Sequence, residues 1–480
     1  MTKTAAIIGG GVIGGGWAAR FLLNGWNVTL YDPDPDAARK IDEVLANARY
    51  AMPMLYDVAL PAEGSLIHVE TIAKAVNNAD WIQESVPERL DIKHKVFADI
   101  ETYARRDAII GSSTSGFKPS QLNQGMKTAD RLMVTHPFNP VYLLPLIEVV
   151  PAPETAEISI LNALETLSSL GLHPLRVRKE IDAHIADRFL EAVWREALWL
   201  IKDGVATTHE IDDAIRYGFG LRWAQMGLFE TYRVAGGEAG MKHFIEQFGP
   251  ALKWPWTKLM DVPELTNELV DTIATQSDEQ SGAYTIRELE RQRDENLVGI
   301  MRSLKERNAG AGVLIKDHEH ILAPALASKT VAIPLTSVER TVPIDWTDYN
   351  GHMNEGRYGQ VFSDAADDVM IRIGADADYI ASGNSYFTVD IHIRFLAEAK
   401  AAQPFRVASR VLQAEGKKLR LYHEMLDKDG TVIATGEQLL LHVSLETRRA
   451  CEPQPEVLQK SLALAKAHAN IPLPDHMKDR

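Results

Sequence analysis

A histidine and a glutamate twelve residues apart are the pair in this sequence best suited to move a proton. Thr135-His-Pro-Phe-Asn-Pro140 reads as a strand running into a turn, and Leu146-Ile-Glu148 lies on the strand after it. Side by side, His136 can take the proton of an alcohol while hydride leaves the same carbon. Glu148 can then fix the imidazole tautomer and raise its basicity. Residue type alone leaves a second reading open, since a histidine before proline is also an ordinary turn residue.

A hydride needs an acceptor, and the N-terminus offers a place for one. Gly9-Gly-Gly11-Val-Ile-Gly14 is G-x-G-x-x-G between a short apolar strand and a helix. In that setting Gly9 permits a tight turn, Gly11 lets a pyrophosphate approach the backbone, and Gly14 lets the helix pack on the strand. The phosphates meet the unpaired N–H groups of the helix start. Asp32 ends the second apolar run, 23 residues after Gly9. A carboxylate there accepts from ribose hydroxyls and repels a 2′-phosphate, so the expected cofactor is NAD rather than NADP.

A third constellation lies far along the chain, in Asp345-Trp-Thr-Asp348-Tyr-Asn350-Gly-His352-Met-Asn354. Asp348, Asn350 and His352 stand at i, i+2 and i+4 before a helix expected to begin near Glu355. They could gather around one thioester carbonyl, with the helix N-terminus polarising it and Asp or His activating the attacking group. Asp, Asn and Gly are also common turn and capping residues.

Three patterns of elements must position these groups. From Lys3 to about Ile181, short apolar runs (Ala5–Ile8, Val28–Tyr31, Trp81–Ile82, Ala108–Ile110, Leu132–Val134) alternate with helical stretches such as Val12–Asn24 and Glu88–Ala104. That alternation predicts a doubly wound sheet. From about Asp182 to Ala323 one helical pattern follows another, among them Asp187–Lys202 and a capping box in Thr207-Thr-His-Glu210. Beyond Pro324–Thr336 come the strand patterns Glu339–Ile344, Tyr386–Phe395, Phe405–Gln413, Lys418–Leu426 and Val432–Leu445. They have a hairpin turn at Asp429-Gly430 and one helix over Glu355–Ile373. The expected architecture is an α/β Rossmann domain (1–182), an all-α helical substrate and dimerisation domain (183–323), a linker (324–336), an α+β hotdog domain (337–448), and a tail (449–480) with a helix over Leu458–Ala469.

Composition narrows the function classes. A chain of 480 residues is too long for one core. Apolar residues at 45% and charged residues at 24% suit a soluble globular protein. The net charge of −15 weighs against nucleic acid and anionic membranes as partners. No apolar run is long enough for a membrane span, and glycines 9–16 break the N-terminal apolar stretch where a secretory signal would continue. The single cysteine, Cys451, forms no intrachain disulfide and fits a reducing cytoplasm.

In domain order and motifs, the first 320 or so residues resemble the 3-hydroxyacyl-CoA dehydrogenase superfamily. The glycine loop, Glu84-Ser-Val-Pro-Glu88-Arg-Leu-Asp-Ile-Lys93, Ser112-Ser-Thr-Ser115, His136-Pro-Phe-Asn139-Pro and Glu148 fall in the family's order. The resemblance implies His136 as catalytic base, Glu148 as its orienting partner, Ser115 bonding the substrate oxygen, and Glu88 near the nicotinamide. The segment Asp345–Asn354 is similar to the signature of hotdog thioesterases, which implies a hydrolytic role for Asp348, Asn350 and His352. Both resemblances imply a homodimer.

One departure from the superfamily bears on the substrate. Where the family usually has Gly-Phe-Ile-Val-Asn-Arg, this chain has Ala183-His-Ile-Ala-Asp187-Arg188. An acid in place of the asparagine suits a cationic substrate, although Asp187 could also pair with Arg188 or cap a helix. Trp194 and Trp199 read as core, whereas Gly218–Trp223 and Lys253–Trp256 read as loops rich in aromatics. Phe219, Trp223 and Trp254 are therefore candidates to surround a trimethylammonium group, at roughly 0.5–2 kcal/mol a ring. These segments are similar to the carnitine-oxidising branch of the superfamily, some of whose members carry a betainyl-CoA thioesterase. The resemblance implies carnitine and betainyl-CoA as substrates. Arg222 and Lys253 are candidates for the substrate carboxylate, and Lys417-Lys418-Leu-Arg420 is either a CoA-phosphate contact or a solvated hairpin. A 3-hydroxyacyl-CoA dehydrogenase with an accessory thioesterase remains an alternative. So does a non-enzymatic, crystallin-like protein.

Overall fold

Short strands organise the first part of the chain: β1 (Thr4–Ile8), β2 (Asn27–Tyr31), β3 (Leu66–His68), β4 (Trp81–Glu84), β5 (Ile109–Ser112), β6 (Leu132–Pro137), β7 (Leu146–Pro151) and β8 (His173–Arg176). The computed structural model describes residues 2–235, 240–248, 250, 257–258, 263–327 and 334–472. In it these strands form one sheet in the order β3-β2-β1-β4-β5-β6-β7-β8. From β3 to β6 all neighbours are parallel; β7 runs antiparallel to β6 and sets Glu148 directly opposite His136. The apolar runs read from the sequence are the inner strands. β3 and β8, which that reading did not find, are partly exposed edge strands and so carry no continuous apolar run.

The helix Val12–Leu23 opens directly after the glycine loop and buries Trp17, Phe21 and Leu22 completely. Phe21 packs on Trp26 at 5.1 Å between ring centroids, and Trp17 on Trp81 at 6.4 Å. These rings fix the middle and the C-terminal end of the helix against the sheet.

Helices then follow one another from Ala186–Lys202 to Ala311–Ala327. The capping box is formed, with Thr207 and Glu210 each accepting from the other's backbone N–H. Two expectations fail in this region. Gly218–Trp223 is helical rather than a loop. Ile215–Phe219 makes a wide π turn, Gly218 absorbs the kink at φ −108° and ψ −118°, and Gly220–Trp223 resumes the helix. Trp194 is not core but 56% exposed, in an apolar stripe with Phe189, Leu190 and Val193. Among the described residues no helix is long and apolar enough to cross a membrane.

Contacts divide the chain into two units, Met1–Arg49 with Pro61–His318, and Tyr50–Leu60 with Glu319–Arg480. The second unit holds β9 (Leu335–Thr341), β10 (Asn384–Phe395), β11 (Pro404–Glu415), β12 (Lys418–Asp427) and β13 (Val432–Ser444). They form an antiparallel sheet in the order β10-β13-β12-β11-β9. The helix Glu355–Ile373 buries Val361, Phe362, Ala365 and Val369 in the cores of this unit. β9 starts at Leu335 and ends at Thr341, earlier at both ends than expected; Pro343 has no N–H to continue the ladder. The Asp429-Gly430 turn forms as read, with Asp427 Oδ1 accepting from the N–H of Asp429 and Thr431. Residues 50–60, remote in sequence, fold with this unit. Asp57 pairs with the buried Arg340 at 3.5 Å and donates its N–H to Glu319 at 2.6 Å, while Asp364 holds the same guanidinium at 2.9 Å.

Candidate active sites

At the glycine loop, each position is constrained differently. Gly9 sits at φ 106°, and a Cβ there would meet the Ser85 carbonyl at 2.5 Å. A Cβ on Gly14 would collide with the Gly9 carbonyl, whereas one on Gly11 would have nothing within 4 Å among the described residues. The loop is thus closed against the sheet and open at Gly11, the side a pyrophosphate would approach. Asp32 Oδ2 accepts from Gly10 N–H at 2.5 Å and Oδ1 from Asp34 N–H at 2.7 Å. Those bonds aim the carboxylate while leaving lone pairs for ribose hydroxyls. These residues fit NAD.

Beyond β4 and β5, a second cluster builds around Ser115. Glu88 accepts from Gly116 N–H at 3.1 Å and from the Thr114 hydroxyl, and pairs with Lys93 Nζ at 3.2 Å. Lys93, fully buried, also bonds Glu84 at 2.8 Å. Burial opposes the Glu88 charge, but Thr114, Lys93 and Gly116 outweigh it and hold its carboxyl below the ordinary range. Glu88 therefore holds both neighbours of Ser115, Gly116 by its N–H and Thr114 by its hydroxyl, and the Ser115 hydroxyl lies 3.2 Å from His136 Nε2.

The cross-strand register of β6 and β7 makes the central pair. His136 Nδ1 is 3.0 Å from Glu148 Oε2. Glu148 Oε1 accepts from the N–H groups of Ile185 (2.8 Å) and Ala186 (3.0 Å), at the start of the helix Ala186–Lys202. Burial would raise the Glu148 carboxyl, yet the imidazole and the two N–H donors hold it below its usual value. An ionised Glu148 keeps the proton on Nδ1 and leaves Nε2 bare as the base. Asp187, one residue further along that helix, places Oδ2 3.5 Å from the same Nε2. Burial first, and then Glu148, raise the Asp187 carboxyl. No bond between Asp187 and Arg188 forms among the described residues.

The rings expected to form a cage divide differently. Phe219 and Trp223 pack on each other at 4.6 Å, one helical turn apart, with Trp223 39% exposed. Arg222 is exposed on the same short helix. Trp254 and Lys253 lie outside the described residues.

In the second unit, Asp348, Asn350 and His352 share one tight turn, but their side chains do not converge. Asp348 Oδ1 accepts from the N–H groups of Asn350 (2.8 Å) and His352 (3.3 Å). His352 Nε2 pairs with Glu398 at 3.1 Å, and Asn350 is exposed. Asn354 caps the helix that begins at Glu355. The Asp348 Oδ2 takes no hydrogen bond from the described residues. Arg420 is paired with Glu437 at 2.6 Å, which favours the solvated-hairpin reading of the basic run.

What sequence reasoning missed are Lys93, the Thr114 hydroxyl, and the N–H groups of Ile185 and Ala186. Lys93 had a signal, standing in the quoted Glu84–Lys93 motif; the backbone donors had none.

Comparison with known proteins matches three stretches of the chain. Residues 4–181 match the 3-hydroxyacyl-CoA dehydrogenase NAD binding domain, 184–285 that enzyme's C-terminal domain, and 342–461 the thioesterase-like superfamily. The chain is 61% identical over 476 residues to an L-carnitine dehydrogenase/betainyl-CoA thioesterase of Ruegeria pomeroyi, covering 98% of each. An L-carnitine dehydrogenase of Mesorhizobium japonicum is 59% identical over 337 residues, 69% of this chain and 93% of that protein. Among solved structures, a 5-formyl-3-hydroxy-2-methylpyridine 4-carboxylic acid 5-dehydrogenase superposes with a TM-score of 0.54 at 28% identity, covering 64% of this chain and 99% of its own.

Proposed function

The chain belongs to the family of L-carnitine dehydrogenase/betainyl-CoA thioesterases, and we propose that it oxidises L-carnitine to 3-dehydrocarnitine with NAD and hydrolyses betainyl-CoA to glycine betaine and CoA. Bound NAD, held by Gly9, Gly11, Gly14 and Asp32, supplies the hydride acceptor. Ser115 holds the substrate hydroxyl against His136, and Nε2 takes its proton as the C3 hydrogen leaves with its electron pair. Glu148 stabilises the resulting imidazolium. Glu88 keeps the Ser115 loop in place beside the nicotinamide site.

Asp187 carries the choice of substrate. Only two bonds of about 1.5 Å separate the carbinol carbon of carnitine from its quaternary nitrogen. A counter-charge for that nitrogen must stand beside the base, where Asp187 stands at 3.5 Å. Phe219, Trp223 and Trp254 serve the methyl groups in a lesser role.

In the second unit, Asp348 activates the attacking oxygen at the thioester. The helix starting at Glu355 polarises the carbonyl. The new C–O bond forms as C–S breaks, and CoA leaves as the thiol. The apolar stripe of Phe189, Leu190, Val193 and Trp194 and the exposed Phe387, Val389, Ile391 and Phe395 of β10 support a homodimer. The single cysteine supports a cytoplasmic setting.

The test is NADH production from L-carnitine compared with a 3-hydroxyacyl-CoA, alongside thiol release from betainyl-CoA. Oxidation of the CoA ester alone would overturn the carnitine reading.

A further inference from the structure

Residues 183–186 reach both sides of the dehydrogenase pair. Ala183 N–H donates to the Gly116 carbonyl at 3.3 Å, and His184 Nε2 lies 3.3 Å from the Thr114 carbonyl. Thr114 and Gly116 are the two neighbours of Ser115. The next two residues, Ile185 and Ala186, donate to Glu148. One turn thus grips both flanks of the serine and the carboxylate behind the base. It does so with two successive non-glycine residues in the left-handed region, Ala183 at φ 58° and His184 at φ 48°. Such a conformation persists only where its surroundings enforce it.

The His184 side chain is fully buried, and its ring lies 5.6 Å from that of His136. Its Nδ1 is buried with no hydrogen-bond partner among the described residues. A neutral imidazole has one donor and one acceptor nitrogen. With the proton on Nε2, the Thr114 carbonyl is satisfied and only a lone pair is left over. The other tautomer would face two acceptors and orphan an N–H. Burial, and then the neighbouring His136, lower the proton affinity of the ring; Glu148 on β7 and Asp187 on the helix act the other way. The ring stays neutral while His136 takes up the substrate proton.

We propose that His184 is a positioning residue for the dehydrogenase: through its Nε2–H bond to the Thr114 carbonyl it holds Ser115 in register with His136. A phenylalanine, the usual occupant of this position in the superfamily, fills the space but cannot make the bond. The proposal rests on the dehydrogenase reading and not on the identity of the substrate.

The experiment is a mutant cycle on the full chain. His184→Phe and His184→Gln are made alone and together with Ser115→Ala, and are assayed for kcat and KM, thermal unfolding, and NADH binding by fluorescence. His184→Phe is expected to lower kcat about tenfold, the worth of one hydrogen bond, with NADH affinity unchanged and Tm lowered by no more than about 5 °C. His184→Gln, which keeps an N–H donor, recovers most of the loss. In the Ser115→Ala background, His184→Phe costs nothing further. A wild-type kcat in His184→Phe, or a full tenfold loss on top of Ser115→Ala, overturns the proposal. Loss of Tm and NADH affinity in both His184 variants overturns it as well, by making the role one of folding. If only a 3-hydroxyacyl-CoA is oxidised, the carnitine reading fails, and the same cycle run on that substrate still decides His184.

Discussion

Asp187 and Glu148 address opposite nitrogens of one imidazole: Glu148 Oε2 is 3.0 Å from Nδ1 of His136, and Asp187 Oδ2 is 3.5 Å from Nε2. The two acids have different environments. Glu148 has three donors, and its carboxyl is lowered, whereas that of Asp187 is raised. The first is held anionic inside the protein; the second is the carboxyl that, on the proposed function, a cationic substrate would hold ionised.

Replacing Asp187 with asparagine should therefore raise KM for L-carnitine about tenfold, as expected for removing one charge contact in a partly screened site. KM for NAD should stay as it is. An unaltered carnitine KM would return Asp187 to a structural role.

His136→Ala should reduce turnover by roughly 10²–10⁴-fold and still bind NADH. Glu148→Gln should also impair turnover, because its amide would turn an N–H toward Ile185 and Ala186 or toward His136. Steady-state kinetics with a parallel NADH titration decide the matter, and undiminished turnover removes His136 from the mechanism.

For the thioesterase, Asp348→Asn is the informative change. It keeps an oxygen for the N–H groups of Asn350 and His352 while removing the charge. Betainyl-CoA hydrolysis should fall by at least about 10²-fold, with carnitine oxidation intact. Loss of both activities would indicate unfolding instead.

Acid should destabilise the second unit through His423. Its ring is fully buried, bonded to Ser409 at 2.7 Å and Gln438 at 3.1 Å and stacked on Phe362. Burial pushes its pKa down to about 4, against about 6.5 when unfolded. Between those values the unfolded chain binds a proton that the folded one refuses. The contribution is complete above about pH 6.5 and falls by about 2 kcal/mol from pH 7 to 5. Thermal unfolding of wild type and His423→Asn at both pH values measures it; an equal acid loss in the variant would assign the effect to other groups.

Much of the dehydrogenase site is legible in the sequence because strand spacing and glycine chemistry are local. His136 and Glu148 sit on consecutive strands, so pairing those strands almost forces the side chains together, and Gly9, Gly11 and Gly14 each answer to a steric demand within a few residues. The donors to Glu148 are backbone N–H groups, which every residue but proline possesses, so no residue type announces Ile185 or Ala186. Nor does any pattern declare the left-handed pair at Ala183 and His184, since alanine ordinarily avoids that region and histidine visits it only as a minority. The aromatic segment around Phe219 misled for another reason: glycines at 218 and 220 suggested a loop, but helical packing on either side prevailed over their weak propensity. In the hotdog unit the turn at Asp348 was readable. Its side chains fail to converge because Asp348 satisfies its own turn and His352 turns to Glu398.

The docking of residues 50–60 beside Arg340 has a consequence in time. Asp57 leaves the ribosome about 280 residues before Arg340, an interval of roughly 15–60 s at ordinary synthesis rates. For that period the segment carrying Met52, Met54 and Leu55, all buried in the finished protein, has only part of its eventual surroundings. A nascent chain of this protein therefore carries an unfinished apolar segment through more than half of its synthesis.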